Sequence, residues 1–207
     1  MIKEAEKCGA DSVKLQINNP EIITSKSWVI NAQKKANFTL DEYLEIKKYA
    51  IKSGIHIFSS AGDIKSLQIF KKLNFDKIKI SSSNLRNMPL HEEVAELGIP
   101  VVLSTGDSYL NELTRIVKFY KSNKVKISLL HCISNYPANV SDTYLRSIPF
   151  LKDLFDIQIN VMAKTSILLG RLIMCAFLGG YSIHSLTVCL SRIWLLQLKY
   201  GSYFIYK

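Results

Sequence analysis

Lys14 lies within "DSVKLQ" (11–16) and Lys79 within "DKIKISSS" (76–83), each in an otherwise apolar, β-branched run that reads as a buried strand. An ammonium in such a place loses its hydration, so a lysine there points to a compensating anion. Neighbouring residues add polar groups. Gln16 follows Lys14, Ser59 and Ser60 close "GIHIFSS" (54–60), Ser82 follows Lys79, and Ser104 and Thr105 stand in "GIPVVLSTG" (98–106). "KVKISLLHC" (124–132) leads into His131, Cys132, Ser134, Asn135 and Tyr136, with Pro137 closing the segment. Cations gathered with hydroxyl donors suit a ligand that carries phosphate and carboxylate. The plainer reading of each single Ser or Thr is a helix N-cap, and of His131 a hydrogen-bonded core histidine. Recurrence at corresponding places favours a shared site.

Amphipathic stretches at 39–52, 64–73, 90–97 and 109–120 separate these runs, and a further helix is expected from Ser141 and Asp142 to residue 155. Regular alternation of apolar strands and helices predicts a parallel sheet buried on both faces. Doubly wound sheets and (β/α)8 barrels both fit. In a barrel the C-terminal strand ends meet at one mouth, where active sites form. No GxGxxG follows a strand and no GxxxxGK[ST] occurs, which disfavours nucleotide-binding versions.

The chain has 207 residues, 48% of them hydrophobic, enough for one ordinary core. Lys and Arg outnumber Asp and Glu by 27 to 17, a balance that suits anionic partners. The lysines are spread out rather than massed, so nucleic acid is not expected as a partner. Cys8, Cys132, Cys175 and Cys189 show no metal or disulfide spacing, and "MIKEAEKCGAD" is not a secretory signal; both predict a cytoplasmic protein. "LIMCAFLGGYSIHSLTVCL" (172–190) is long enough for a bilayer, but its Gly, Ser, His and Thr residues favour a buried helix and strand over a membrane span.

"GADSVKLQ", "IKISSSNLRN", "PVVLSTGDS" and "LLHCISNYP" resemble, in order and spacing, the catalytic barrel of the sialic acid synthase family, whose members make N-acetylneuraminate, legionaminate and pseudaminate. The resemblance covers residues 1–157. It implies an α/β chain forming a partial TIM (β/α)8 barrel with parallel strands, the first strand expected before residue 1 and the last two divergent. It implies condensation of phosphoenolpyruvate with an N-acetylated amino sugar of the mannosamine type, assisted by a divalent metal, Mn or Mg. By motif, Lys14, Ser60, Lys79, Ser82, Ser104, Ser134 and Tyr136 would hold phosphoenolpyruvate, the lysines pairing with phosphate and carboxylate, and Gln16 would face the sugar. Assembly into a homo-oligomer is left open.

The chain also departs from that pattern. Ser60-Ala61-Gly62 stands where the family has "TPF", and Asn84 where an acidic residue is expected. Ala163-Lys164 replaces the Asp-His of a metal motif, and His184 falls two residues early for the second metal histidine. The metal ligands are therefore not recognisable. Residues 158–207 are expected to be a divergent apolar tail, frameshifted or decayed, and the enzyme to be impaired or inactive. The rivals are another phosphoenolpyruvate-condensing keto-deoxy sugar acid synthase and a non-catalytic or membrane-associated remnant.

Overall fold

The computed structural model describes residues 2–7, 10–23, 25, 27–134, 140–161 and 204–206. The chain divides into two compact units, Met1–Ile78 with Val188–Tyr206, and Lys79–Thr187 with Lys207.

In the first unit, α1 (Ile2–Lys7) precedes β1 (Ser12–Ile17), and α2 (Pro20–Ile23), α3 (Ser27–Ala36) and α4 (Leu40–Lys52) lead to β2 (His56–Ala61). The two strands pair in parallel from Ser12↔His56 to Ile17↔Ala61. Both faces of β1 are buried, as its unbroken apolar run requires, with Val13, Leu15 and Ile17 in the core. Helix α4 begins at a capping box. Thr39 accepts from the Glu42 amide at 3.3 Å, and the Glu42 carboxylate accepts from the Thr39 amide at 2.7 Å. After β2, α5 (Ile64–Leu73) sets Leu67, Phe70 and Leu73 into the core, as its 3.6-residue spacing predicts.

One strand lies outside the expected parallel set. β7 (Phe204–Tyr206) pairs antiparallel with β1, from Ser12↔Tyr206 to Lys14↔Phe204. A strand edge needs partners for its N–H and C=O groups, and a segment returning from far along the chain can supply them in either direction.

β3 (Ile78–Ile80) straddles the boundary between the units. In the second unit a 3₁₀ turn at Ser82–Asn84 leads to α6 (Met88–Ala95), β4 (Val101–Ser104), α7 (Leu110–Ser122) and β5 (Ile127–His131). β4 pairs in parallel with β5, and β5 with β6 (Ile159–Val161). Helix α7 buries Leu113, Ile116, Val117 and Tyr120, one apolar stripe.

The helix expected over 141–155 is instead a 3₁₀ turn at Val140–Thr143 followed by α8 (Ser147–Phe155). Pro149 has no amide hydrogen to donate and fits only the first helical turn, so the helix starts just before it. Tyr144, at φ 43°, separates the two segments. Strand–helix alternation with parallel pairing makes this an α/β fold, as expected for part of a (β/α)8 barrel. Among the described residues no helix is long and apolar enough to cross a membrane, and the 172–190 run lies outside them.

Candidate functional site

In the first unit the site residues follow from the parallel register, which sets Gln16 beside Ser60 and Lys14 two residues earlier on the same face of β1. Lys14 is 2% exposed, and its Nζ donates to the Leu15 carbonyl at 3.0 Å and to Ser60 Oγ at 3.4 Å. Carbonyl and hydroxyl dipoles thus face a buried ammonium. Gln16 is half-buried, and its carbonyl accepts from the Tyr43 hydroxyl at 3.2 Å. Asp63 braces this end of the strands. Its carboxylate accepts from the Ser66 amide at 2.9 Å, the Ser66 hydroxyl at 2.6 Å and the Asn19 amide at 3.0 Å, which caps α5 and ties it to the loop after β1.

In the second unit Lys79 is buried in β3, and Ser82 opens the 3₁₀ turn that follows. Ser104, at the end of β4, is wholly buried, and its Oγ has no hydrogen-bond partner among the described residues. Two residues on, the Gly106 amide donates to Cys132 Sγ at 3.1 Å, and Ser82 Oγ stands 3.4 Å from the same sulfur. A Cβ on Gly106 would lie 2.6 Å from Ser134 Oγ, 2.9 Å from Ser82 Oγ and 3.0 Å from Cys132 Sγ. The side chains that end β3 and β5 therefore converge on one bare backbone position. Hydroxyls gathered around a glycine backbone, with a buried lysine on the same unit, suit an anion with several oxygens.

His131 is packed rather than offered to a ligand, its Nε2 lying 2.7 Å from the Thr143 carbonyl. Cys132 is a free thiol. Tyr136 lies outside the described residues, as do Ala163, Lys164 and His184. Among the described residues no three His, Cys, Asp or Glu side chains cluster to hold a metal ion. His131 is committed to a carbonyl, and among the described residues no carboxylate is hydrogen-bonded to the Gly106 cluster, so the described residues there do not fit a divalent metal.

Sequence reasoning did not single out Asp63, Gly106 or His91. Asp63 precedes an amphipathic run and could be read as an N-cap. Gly106 gains its importance from three side chains that the fold, not local spacing, brings together.

The pattern that defines the NeuB family matches residues 1–161. The uncharacterized protein MJ1065 of Methanocaldococcus jannaschii is 40% identical over 167 residues, covering 80% of this chain and 50% of that protein. N-acetylneuraminate-9-phosphate synthase of Drosophila melanogaster is 32% identical over 170 residues, covering 75% of this chain and 46% of the enzyme. Among solved structures, the N-acetylneuraminic acid (sialic acid) synthetase of Leptospira borgpetersenii serovar Hardjo-bovis, in complex with citrate, superposes with a TM-score of 0.76 at 32% identity, over 82% of this chain and 61% of that one. The chain spans about half the length of the curated relatives it matches.

Proposed function

This chain belongs to the NeuB family, and from that premise we propose that it retains the phosphoenolpyruvate-binding residues of a nonulosonic acid synthase while its turnover is impaired. Lys79, Ser82, Ser104 and Ser134 hold the anion in the second unit. Lys14, Ser60 and Tyr136 are assigned to the same ligand, and Gln16 to the sugar, by motif resemblance. One observation carries the reading. The buried Ser104 hydroxyl has no partner among the described residues, and a buried donor persists more readily when a ligand oxygen completes it.

The reaction would join phosphoenolpyruvate to the aldehyde carbon of an N-acetylmannosamine-type sugar, with release of phosphate. Lysine ammonium groups neutralise the phosphate and carboxylate as the ligand binds, and the leaving phosphate as it departs. Hydroxyl donors orient the ligand. Nothing in the described residues activates the sugar aldehyde, and Ala163-Lys164 replaces the expected Asp-His. Binding without condensation follows.

The functional portion is residues 1–157, with 158–207 a divergent tail, a division that a family match ending at residue 161 supports. A cytoplasmic location accords with the cysteine spacing. Calorimetric titration with phosphoenolpyruvate tests the reading, paired with a phosphate-release assay containing manganese and N-acetylmannosamine. Binding in the millimolar range, roughly −4 kcal/mol, is expected, with no phosphate released.

A further inference from the structure

His91 is an unusual residue for the wholly buried face of a helix, and the turn it touches carries a site serine. Its ring has hydrogen-bonding neighbours at both nitrogens. Nε2 lies 3.0 Å from the Leu85 carbonyl, and Nδ1 lies 2.8 Å from the Tyr120 hydroxyl on α7. A carbonyl only accepts, so Nε2 carries the hydrogen. The lone pair of the neutral ring is then on Nδ1, and the Tyr120 hydroxyl donates to it. Tyr120 is itself wholly buried, and the two rings meet edge to face with centroids 5.5 Å apart. This bond selects one tautomer, and that tautomer is the one able to hold Leu85.

Leu85 is the residue on which the 3₁₀ turn closes. Its amide donates to the Ser82 carbonyl at 3.1 Å, its side chain is wholly buried, and its own carbonyl is held by His91. Ser82, at the start of that turn, reaches the Gly106 and Cys132 cluster. We propose that His91 and Tyr120 form a positioning pair for Ser82: His91 Nε2–H holds the Leu85 carbonyl, Tyr120 fixes the tautomer, and protonation of the ring breaks the Tyr120 bond, loosens the turn and weakens anion binding there. The final step rests on the phosphoenolpyruvate reading above; the pair itself does not.

The loosening has a chemical cause, since the charged ring keeps Nε2–H on the Leu85 carbonyl and loses the bond from Tyr120. A protonated ring carries hydrogen on both nitrogens, so the Tyr120 hydroxyl must turn and accept, leaving its own hydrogen without an acceptor in the core. The groups facing the ring are the Leu85 and Asn84 carbonyls of the turn, and Tyr120 and Arg115 of α7. The carbonyls favour the charged ring, whereas Arg115 and, most of all, burial disfavour it. The bond from Tyr120 to the His91 ring is therefore intact at neutral pH and is lost on the acid side.

The test uses the full chain. Nitrogen-15 NMR of the imidazole should show the Nε2–H tautomer near pH 7, and the Ser82 amide should shift together with the His91 titration. His91→Gln keeps a donor for the Leu85 carbonyl but cannot titrate in this range. As pH falls on the acid side of neutrality the wild type should lose more phosphoenolpyruvate affinity than His91→Gln, since the ligand's own titration is common to both. His91→Leu, which has no donor, should bind weakly throughout.

A Nδ1–H tautomer, or a Ser82 amide that ignores the His91 titration, would overturn the proposal. So would equal pH slopes in wild type and His91→Gln. Should the variants not fold, the wild-type NMR titration decides alone. A chain that never binds phosphoenolpyruvate would remove the functional reading, while the Ser82 and His91 shifts would still decide for or against the pair.

Discussion

Lys14 Nζ stands 3.4 Å from Ser60 Oγ, across the parallel pair of β1 and β2. With the Leu15 carbonyl at 3.0 Å, this hydroxyl solvates an ammonium that is 2% exposed. The bond is long for one made to a charge, so its contribution lies at the low end for such bonds. Ser60→Ala should lower stability by about 1.5 kcal/mol, read as a shift in urea midpoint with an unchanged slope. A variant as stable as the wild type would show that the hydroxyl does not support Lys14.

Gly106 is closed in by Ser134, Ser82 and Cys132, at 2.6, 2.9 and 3.0 Å from the position of a Cβ. Gly106→Ala must push at least one of these groups aside, which should cost about 1–3 kcal/mol of stability. The hydroxyls displaced are those assigned to the anion, so phosphoenolpyruvate affinity should fall as well. An alanine variant with wild-type stability and affinity would mean that the cluster is looser than these distances state.

Burial holds the His91 ring below its ordinary value of 6.5, with Arg115 pushing the same way and the Leu85 and Asn84 carbonyls opposing. Below about pH 6.5 the unfolded chain takes up a proton that the native chain refuses, so the unfolded state binds more protons. Stability from this group is therefore fully present above 6.5 and is lost as pH falls toward the folded value. Urea unfolding at several pH values should give a shallower acid-side loss in His91→Gln than in wild type. Equal losses would show that His91 is not the group responsible.

The strand cores were legible in the sequence because apolar, β-branched runs survive any packing detail: β3, β4 and β5 fall inside the expected runs, and β1 and β2 each extend one residue beyond theirs. Helix α4 was legible from Thr39 and its spacing. What escaped depended on neighbours. Pro149 marked the true start of α8, yet the amphipathic pattern around it read as one longer helix. β6 has three residues, too few to display a period, and β7 exists only through its pairing with β1. In the same way, the site lysines stood out as charges in apolar strands. The buried orphan hydroxyl of Ser104 and the pairing of His91 with Tyr120, 29 residues apart, arise only when separate elements meet.

β7 covers the β1 edge through pairs from Ser12↔Tyr206 to Lys14↔Phe204. A chain lacking residues 202–207 should expose that edge and self-associate through it. Size-exclusion chromatography should show larger species for the shortened chain at equal concentration. An unchanged elution profile would mean that the pairing is not what keeps this edge from other chains.

Calorimetric titration of the full chain and of Lys79→Ala with phosphoenolpyruvate tests the central claim most directly, run beside a phosphate-release assay with manganese and N-acetylmannosamine. Lys79 is buried at 5% exposure, so its removal is felt at the site rather than on the surface. The wild type should bind in the millimolar range, roughly −4 kcal/mol, more weakly as salt is raised, and without releasing phosphate. Folded Lys79→Ala should lose most of that binding. Measurable synthase turnover by the wild type, or affinity unchanged in a folded Lys79→Ala variant, would contradict the account.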